Sequence, residues 1–109
     1  GLGVSNTVRG AVTQWAKTLA IELGSYNITV NNVLPGYTKT SRLDELAKSK
    51  SLDKKISVDK IYNEWANNNS VKRIGQPEEI ANAIIFLCEQ LSGYITGQNI
   101  IVDGGKLSI

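Results

Sequence analysis

The sequence predicts an α/β fold in which parallel strands are linked by helices, and three observations carry that expectation. A long run with apolar residues at three-and-four spacing is followed closely by a β-branched run ending in Pro-Gly. A second helix-then-strand pair lies near the C-terminal end, and a polar stretch with short amphipathic segments separates the two pairs. The predicted order is helix, strand, flap helices, helix, strand. Two strands joined by a helix do not make a stable parallel sheet, which needs more strands and helices on both faces. The sequence therefore predicts that further polypeptide completes the sheet.

Val8, Val12, Trp15, Leu19 and Leu23, with Ala11, Ala16 and Ala20 alongside, line one helical face and predict a helix over roughly residues 5–24. Ser5 or Asn6 suits its N-cap and Gly24 its end. The run from Ile28 to Leu34, closed by Pro35-Gly36, has the composition of a buried strand. Residues 38–72 are rich in Lys, Ser, Asn and Asp, with apolar positions at Leu43, Leu46, Leu52, Ile56, Ile61, Tyr62 and Trp65. Short amphipathic helices fit this stretch, and a mobile flap rather than core is expected. Gln76-Pro77-Glu78-Glu79 opens a helix, since Pro suits the first turn and carboxylates favour the positive end of the dipole. Ile80, Ala83, Ile84, Leu87 and Cys88 continue its apolar stripe. Asn99 to Val102 reads as a second strand, ended by the turn Asp103-Gly104-Gly105. Asn31 and Asn32 are expected to tie neighbouring loops through their amides.

Composition removes several function classes. With 12 Lys and Arg against 10 Asp and Glu, the net charge is only +2 and the signs are interspersed, so no nucleic-acid footprint is present. The longest apolar run, Ala83 to Cys88, is too short to span a bilayer. No His and a single Cys exclude a His-based catalytic triad and argue against a metal site. The lone Cys88 reads as a reducing, cytoplasmic compartment. The chain opens on Gly1-Leu2-Gly3 without an initiator Met or a leader, in mid-pattern, as a piece of a longer protein would.

Five segments in order carry a resemblance: Lys17-Thr18-Leu19-Ala20-Ile21-Glu22-Leu23, Ile28-Thr29-Val30-Asn31, Pro35-Gly36-Tyr37-Thr38-Lys39-Thr40, Arg73-Ile74-Gly75-Gln76-Pro77-Glu78-Glu79-Ile80-Ala81, and Ile95-Thr96-Gly97-Gln98 through Val102-Asp103-Gly104-Gly105. Together they resemble the C-terminal part of the short-chain dehydrogenase/reductase family and cover nearly the whole sequence. The resemblance implies the C-terminal half of a single Rossmann-like, doubly wound domain over residues 1–109, with residues 38–72 as substrate flap. The glycine-rich, dinucleotide-binding half is expected upstream or on a companion chain.

The resemblance also implies site residues. The family's Tyr-x-x-x-Lys pair falls on Ser5 and Arg9, and both depart from the pattern. A phenol starts near pKa 10 and can be drawn toward neutrality, whereas an aliphatic hydroxyl starts higher, so Ser5 is a poor acid. Arg9 keeps the positive charge and can donate to a ribose hydroxyl, yet it does not deprotonate. Pro35, Gly36, Thr38 and Thr40 resemble the loop that passes the nicotinamide, with the Thr38 backbone at the carboxamide and the Thr40 hydroxyl as a partner to the carboxamide or the phosphate. Tyr37 and Trp65 are expected on the substrate side; equally, Tyr37 covers the loop and Trp65 serves as an anchor. The implied cofactor is NAD or NADP, the substrate a small carbonyl or alcohol, and the assembly a homo-oligomer. The resulting expectation is a hydride-transferring oxidoreductase inactive as this chain alone. A non-catalytic binding or scaffold protein that has lost the Tyr-Lys relay is the alternative.

Overall fold

The computed structural model describes residues 3–106. Six regular elements follow one another: α1 (Gly3–Leu23), β1 (Asn32–Pro35), α2 (Ser41–Lys54), α3 (Val58–Asn67), α4 (Pro77–Cys88) and β2 (Asn99–Val102). Short 3-10 turns occupy Gly24–Tyr26 and Gln90–Ser92. β1 and β2 pair, and the bonds Asn32 N to Gln98 O and Gly36 N to Val102 O advance in the same sense on both strands. The pairing is therefore parallel, as the α/β reading expects.

The chain divides into two compact units, one of Gly1–Val33 with Ala83–Ile100 and one of Leu34–Asn82 with Ile101–Ile109. In the first unit, α1 buries only Ala16 and Ala20, and Gly97 approaches Ala20 closely. The apolar stripe predicted for this helix is real in register, but Val8, Val12 and Trp15 on it are exposed. Helical spacing shows which residues share a face; a neighbouring element decides whether that face is covered. Ser5 is not the N-cap, because the helix already includes Gly3 and Val4. The strand is shorter than expected. Pairing begins only at Asn32, since the segment before it meets a turn rather than a strand: Val30 N donates to Thr96 Oγ1 and Gly97 N to Val30 O. Asn31 laces this region as expected, its Nδ2 donating to Ile95 O at 2.8 Å and its Oδ1 accepting from Gln98 N at 3.1 Å. Asn32 Nδ2 donates to Asn99 Oδ1.

The second unit overturns the expectation of a flap without a core. Leu43 and Ala47 of α2 and Ile61 and Trp65 of α3 form a buried cluster, with Tyr37, Leu46, Ile56, Val58, Tyr62 and Ile74 packed around it. Leu43 and Ala47, and Ile61 and Trp65, are i, i+4 pairs on their helices, and packing the two pairs into one cluster removes them from water. Both helices are cut cleanly from the polar sequence. Thr40 caps α2 by accepting from Leu43 N, and Ser57 caps α3 by accepting from Lys60 N. At the C-terminus of α2, Lys55 adopts φ +54°, with Lys55 N bonded to Leu52 O and Ile56 N to Ser51 O, a Schellman ending made without glycine. Lys54 Nζ meets Glu64 Oε2 at 2.6 Å and links α2 to α3.

Two stability changes follow. Ile61 is fully buried, so Ile61→Ala is expected to cost about 3 kcal/mol in urea unfolding. Lys55→Gly relieves the left-handed backbone and is expected to raise stability by about 1 kcal/mol in the same measurement.

Candidate functional site

The second unit brings together most of the predicted site residues on the loop that leaves β1. Gly36 N donates to Val102 O, and a Cβ on Gly36 would stand 2.7 Å from the Asp103 Cα, so only glycine lets the loop run this close to the end of β2. Asp103 in turn shapes the turn after β2: its Oδ1 accepts from Gly105 N at 2.9 Å and Lys106 N at 3.2 Å. Gly104 and Gly105 both sit at φ +68°.

Thr38 then forms an isolated parallel bridge with Gly75. The bridge uses the atoms on either side of Thr38, Gly75 N donating to Tyr37 O and Lys39 N donating to Gly75 O, both at 2.9 Å. In this pattern the N–H and C=O of Thr38 itself turn the opposite way, and neither bonds to another described backbone group. One donor and one acceptor on a single residue match the carbonyl and amino group of a carboxamide. The Thr38 hydroxyl is occupied locally, donating to Gly36 O at 3.1 Å. The Thr40 hydroxyl caps α2 and marks where the loop becomes helix.

Tyr37 and Trp65 are also brought together. Their rings stack at 4.8 Å and 13°, and Tyr62 packs edge-on against Trp65 at 5.5 Å. Trp65 is buried and Tyr37 half-buried, so the tryptophan anchors the loop through the tyrosine. Pro35 ends β1 and is exposed. Ser5 and Arg9, by contrast, belong to α1 in the other unit, one turn apart on one face and both exposed.

A cleft of about 240 Å³ lies in the second unit, with Tyr37, Thr38, Gly75, Arg73, Glu79 and Asp103 among its walls. It is smaller than the roughly 300–1,000 Å³ of a complete small-molecule site, which suits it to part of a ligand. Its charged wall escaped the sequence reading, which took Glu79 as a helix-dipole carboxylate. Arg73 grips both oxygens of Glu79, Nη1 to Oε2 at 2.7 Å and Nη2 to Oε1 at 2.6 Å, and Gln76 N donates to Oε2 at 2.8 Å. Gln-Pro-x-Glu is a capping arrangement, and the Arg six residues before the Glu is the signal that was available for the pair. The bond to Arg73, and then the Gln76 N–H, hold the Glu79 carboxyl down at about 2. A hollow of about 970 Å³ in the first unit, with Ile28, Leu87, Cys88 and Tyr94 among its walls, contains none of the predicted site residues. Among the described residues, no cluster of three or more His, Cys, Asp or Glu side chains is arranged to hold a metal, and no helix is long and apolar enough to cross a membrane.

A parallel strand pair, with loops that turn at glycine beyond the carboxyl ends of both strands, is the arrangement of an open α/β sheet. Comparison with known proteins narrows the class. The family model described as enoyl-(acyl carrier protein) reductase matches residues 1–106, and the chain belongs to the short-chain dehydrogenase/reductase family. It is 42% identical over 100 residues to the short-chain reductase protein NovJ of Streptomyces niveus, covering 92% of this chain and 37% of that protein. It is 40% identical over 97 residues to the 3-oxoacyl-[acyl-carrier-protein] reductase FabG of Chlamydia trachomatis, covering 89% of this chain and 35% of the relative. Among solved structures, a short-chain dehydrogenase family protein from Francisella tularensis superposes with a TM-score of 0.84 at 37% identity, over 87% of this chain and 39% of that one. L-sorbose reductase from Gluconobacter frateurii, solved with NADPH and L-sorbose, does so with a TM-score of 0.85 at 33% identity, over 95% and 40% of the two chains. The chain thus spans well under half the length of these relatives.

The Glu79 geometry makes stability pH-dependent in a defined direction. Its folded value of about 2 lies below the ordinary 4.5, so the contribution is fully present above pH 4.5 and is lost as pH falls toward 2. Glu79→Gln, which keeps the cap but removes the charge, is expected to lower the thermal midpoint at pH 7, with the gap to wild type closing near pH 2 in calorimetric scans.

Proposed function

We propose that this chain is the C-terminal part of an NAD(P)-dependent oxidoreductase that moves a hydride between the nicotinamide and a small carbonyl or alcohol substrate. The observation that carries the reading is the Thr38 backbone, whose N–H and C=O turn away from Gly75 as a matched donor and acceptor for a carboxamide. Family membership and the reductase names of the relatives support it. The chemistry the nicotinamide supplies when bound is hydride donation or acceptance. The chain's own residues orient it: Thr38 through its backbone, Gly36 by allowing the close turn, and Thr40 by fixing where α2 begins. The glycine-rich segment that holds the pyrophosphate, and the partner subunits of a homo-oligomer, are contributed by polypeptide outside this sequence in this reading.

Ser5 and Arg9 occupy the positions of the proton-relaying pair. Arg9 keeps a permanent positive charge for a ribose hydroxyl, and Ser5 offers only a weakly acidic hydroxyl. That exchange also favours a second reading, a protein that binds the dinucleotide without turning it over.

The test is a titration with NADH and NADPH, followed by a carbonyl-dependent oxidation assay, on the longest natural form of the protein. Binding with slow turnover is expected, and the double substitution Ser5→Tyr with Arg9→Lys is expected to raise kcat by about a hundredfold by restoring an acid. Binding with no turnover in either form favours the second reading. No binding of either dinucleotide overturns both.

A further inference from the structure

Beside the 35–40 loop lies a polar cluster that the proposed function leaves unused. Lys39 Nζ donates to Asp44 Oδ1 at 2.6 Å and to the Tyr62 hydroxyl at 3.2 Å, and that hydroxyl donates to the same Asp44 oxygen. The loop, the first turn of α2 and the middle of α3 therefore meet at three side-chain atoms.

A phenol beside an ammonium is the pairing that a proton donor needs, so a catalytic role has to be weighed first. The third member argues against it. The hydroxyl proton is already committed to Asp44, and desolvation followed by that bond pushes the phenol above its ordinary 10.0. Asp44 is held below its ordinary value by Lys39 first and Tyr62 second, so it stays ionised and keeps the proton where it is.

The remaining role is mechanical. Along extended backbone, alternate residues face the same way, so Tyr37 and Lys39 share one side of the loop and Thr38 takes the other. α3 grips both of the shared-side residues: Trp65 stacks on Tyr37 at 4.8 Å, and Tyr62 bonds Lys39. Tyr62 is itself packed against Trp65, so the two grips form one aromatic assembly. Thr38 lies between the gripped positions, with its N–H and C=O held by neither.

We propose that Tyr62 is a positioning residue that, through Asp44 and Lys39, holds the Thr38–Thr40 backbone in the register that receives a nicotinamide carboxamide. The ligand rests on the proposed function; the clasp rests on its own geometry.

Tyr62→Phe keeps the ring against Trp65 and removes only the hydroxyl. In the longest natural form of the protein, the Lys39 amide, bonded to Gly75 O, is expected to exchange with solvent about tenfold faster, while amides of β2 are unchanged. The KM for NADH or NADPH is expected to rise by about tenfold, the equivalent of one lost hydrogen bond, with kcat and the pH profile unmoved. Lys39→Met, on the surface side of the clasp, is expected to reproduce both effects and serves as the test if Tyr62→Phe does not fold. An unchanged Lys39 exchange rate overturns the clasp. A fall in kcat with loss of one limb of the pH profile overturns positioning and makes Tyr62 an acid. A wild-type protein that binds neither dinucleotide overturns the ligand together with the proposed function, and the exchange measurement still decides the clasp.

Discussion

The stacking of Tyr37 on Trp65 is the contact on which the loop depends. It joins a residue two positions after the end of β1 to the most buried aromatic side chain of α3. An aromatic pair of this geometry contributes about 0.5–1.5 kcal/mol beyond the area it buries. Its larger effect is to make the loop part of the α2–α3 core. A backbone that must present one donor and one acceptor at fixed positions gains from being attached to packed helices, because a packed interior gives way only in discrete steps.

The same loop is limited on its other flank by the absence of a side chain. At Gly36 any Cβ would collide with the Asp103 backbone, so the end of β1 and the turn after β2 lie closer than a side chain at Gly36 would allow. Asp103 uses its carboxylate to order its own turn, accepting from Gly105 and Lys106, which keeps the backbone facing Gly36 fixed. Close approach and aromatic stacking thus constrain the loop from different directions, one by excluding volume and the other by attraction.

The family relationship is shared over nearly all of this chain, yet the chain covers only 35–37% of the two curated relatives described. Val8, Val12 and Trp15 of α1 make one stripe with no described element upon it, an arrangement that costs free energy in water unless another surface covers it. Ser5 and Arg9 are exposed on this helix and apart from its buried residues Ala16 and Ala20, so neither position is part of its packing.

Periodicity and breakers by themselves determined the element order, the start of α4, the bounds of β2, and the loop after Pro35 that carries Gly36, Thr38 and Thr40, because these are local properties of neighbouring residues and of Gly and Pro backbone. Asp103 was legible for the same reason, as a short polar side chain that bonds backbone two and three residues further on. Only the tertiary structure decided that residues 41–67 build a core, that Trp65 lies within it, that Arg73 grips Glu79, and that Lys39, Asp44 and Tyr62 share one cluster. Lys39 and Tyr62 stand 23 positions apart, and no local pattern encodes which of many polar residues at such a distance will meet. The stripe on α1 shows the converse. Sequence sets which residues share a face, while burial belongs to whatever packs against that face, and a spacing rule carries no information about a neighbour.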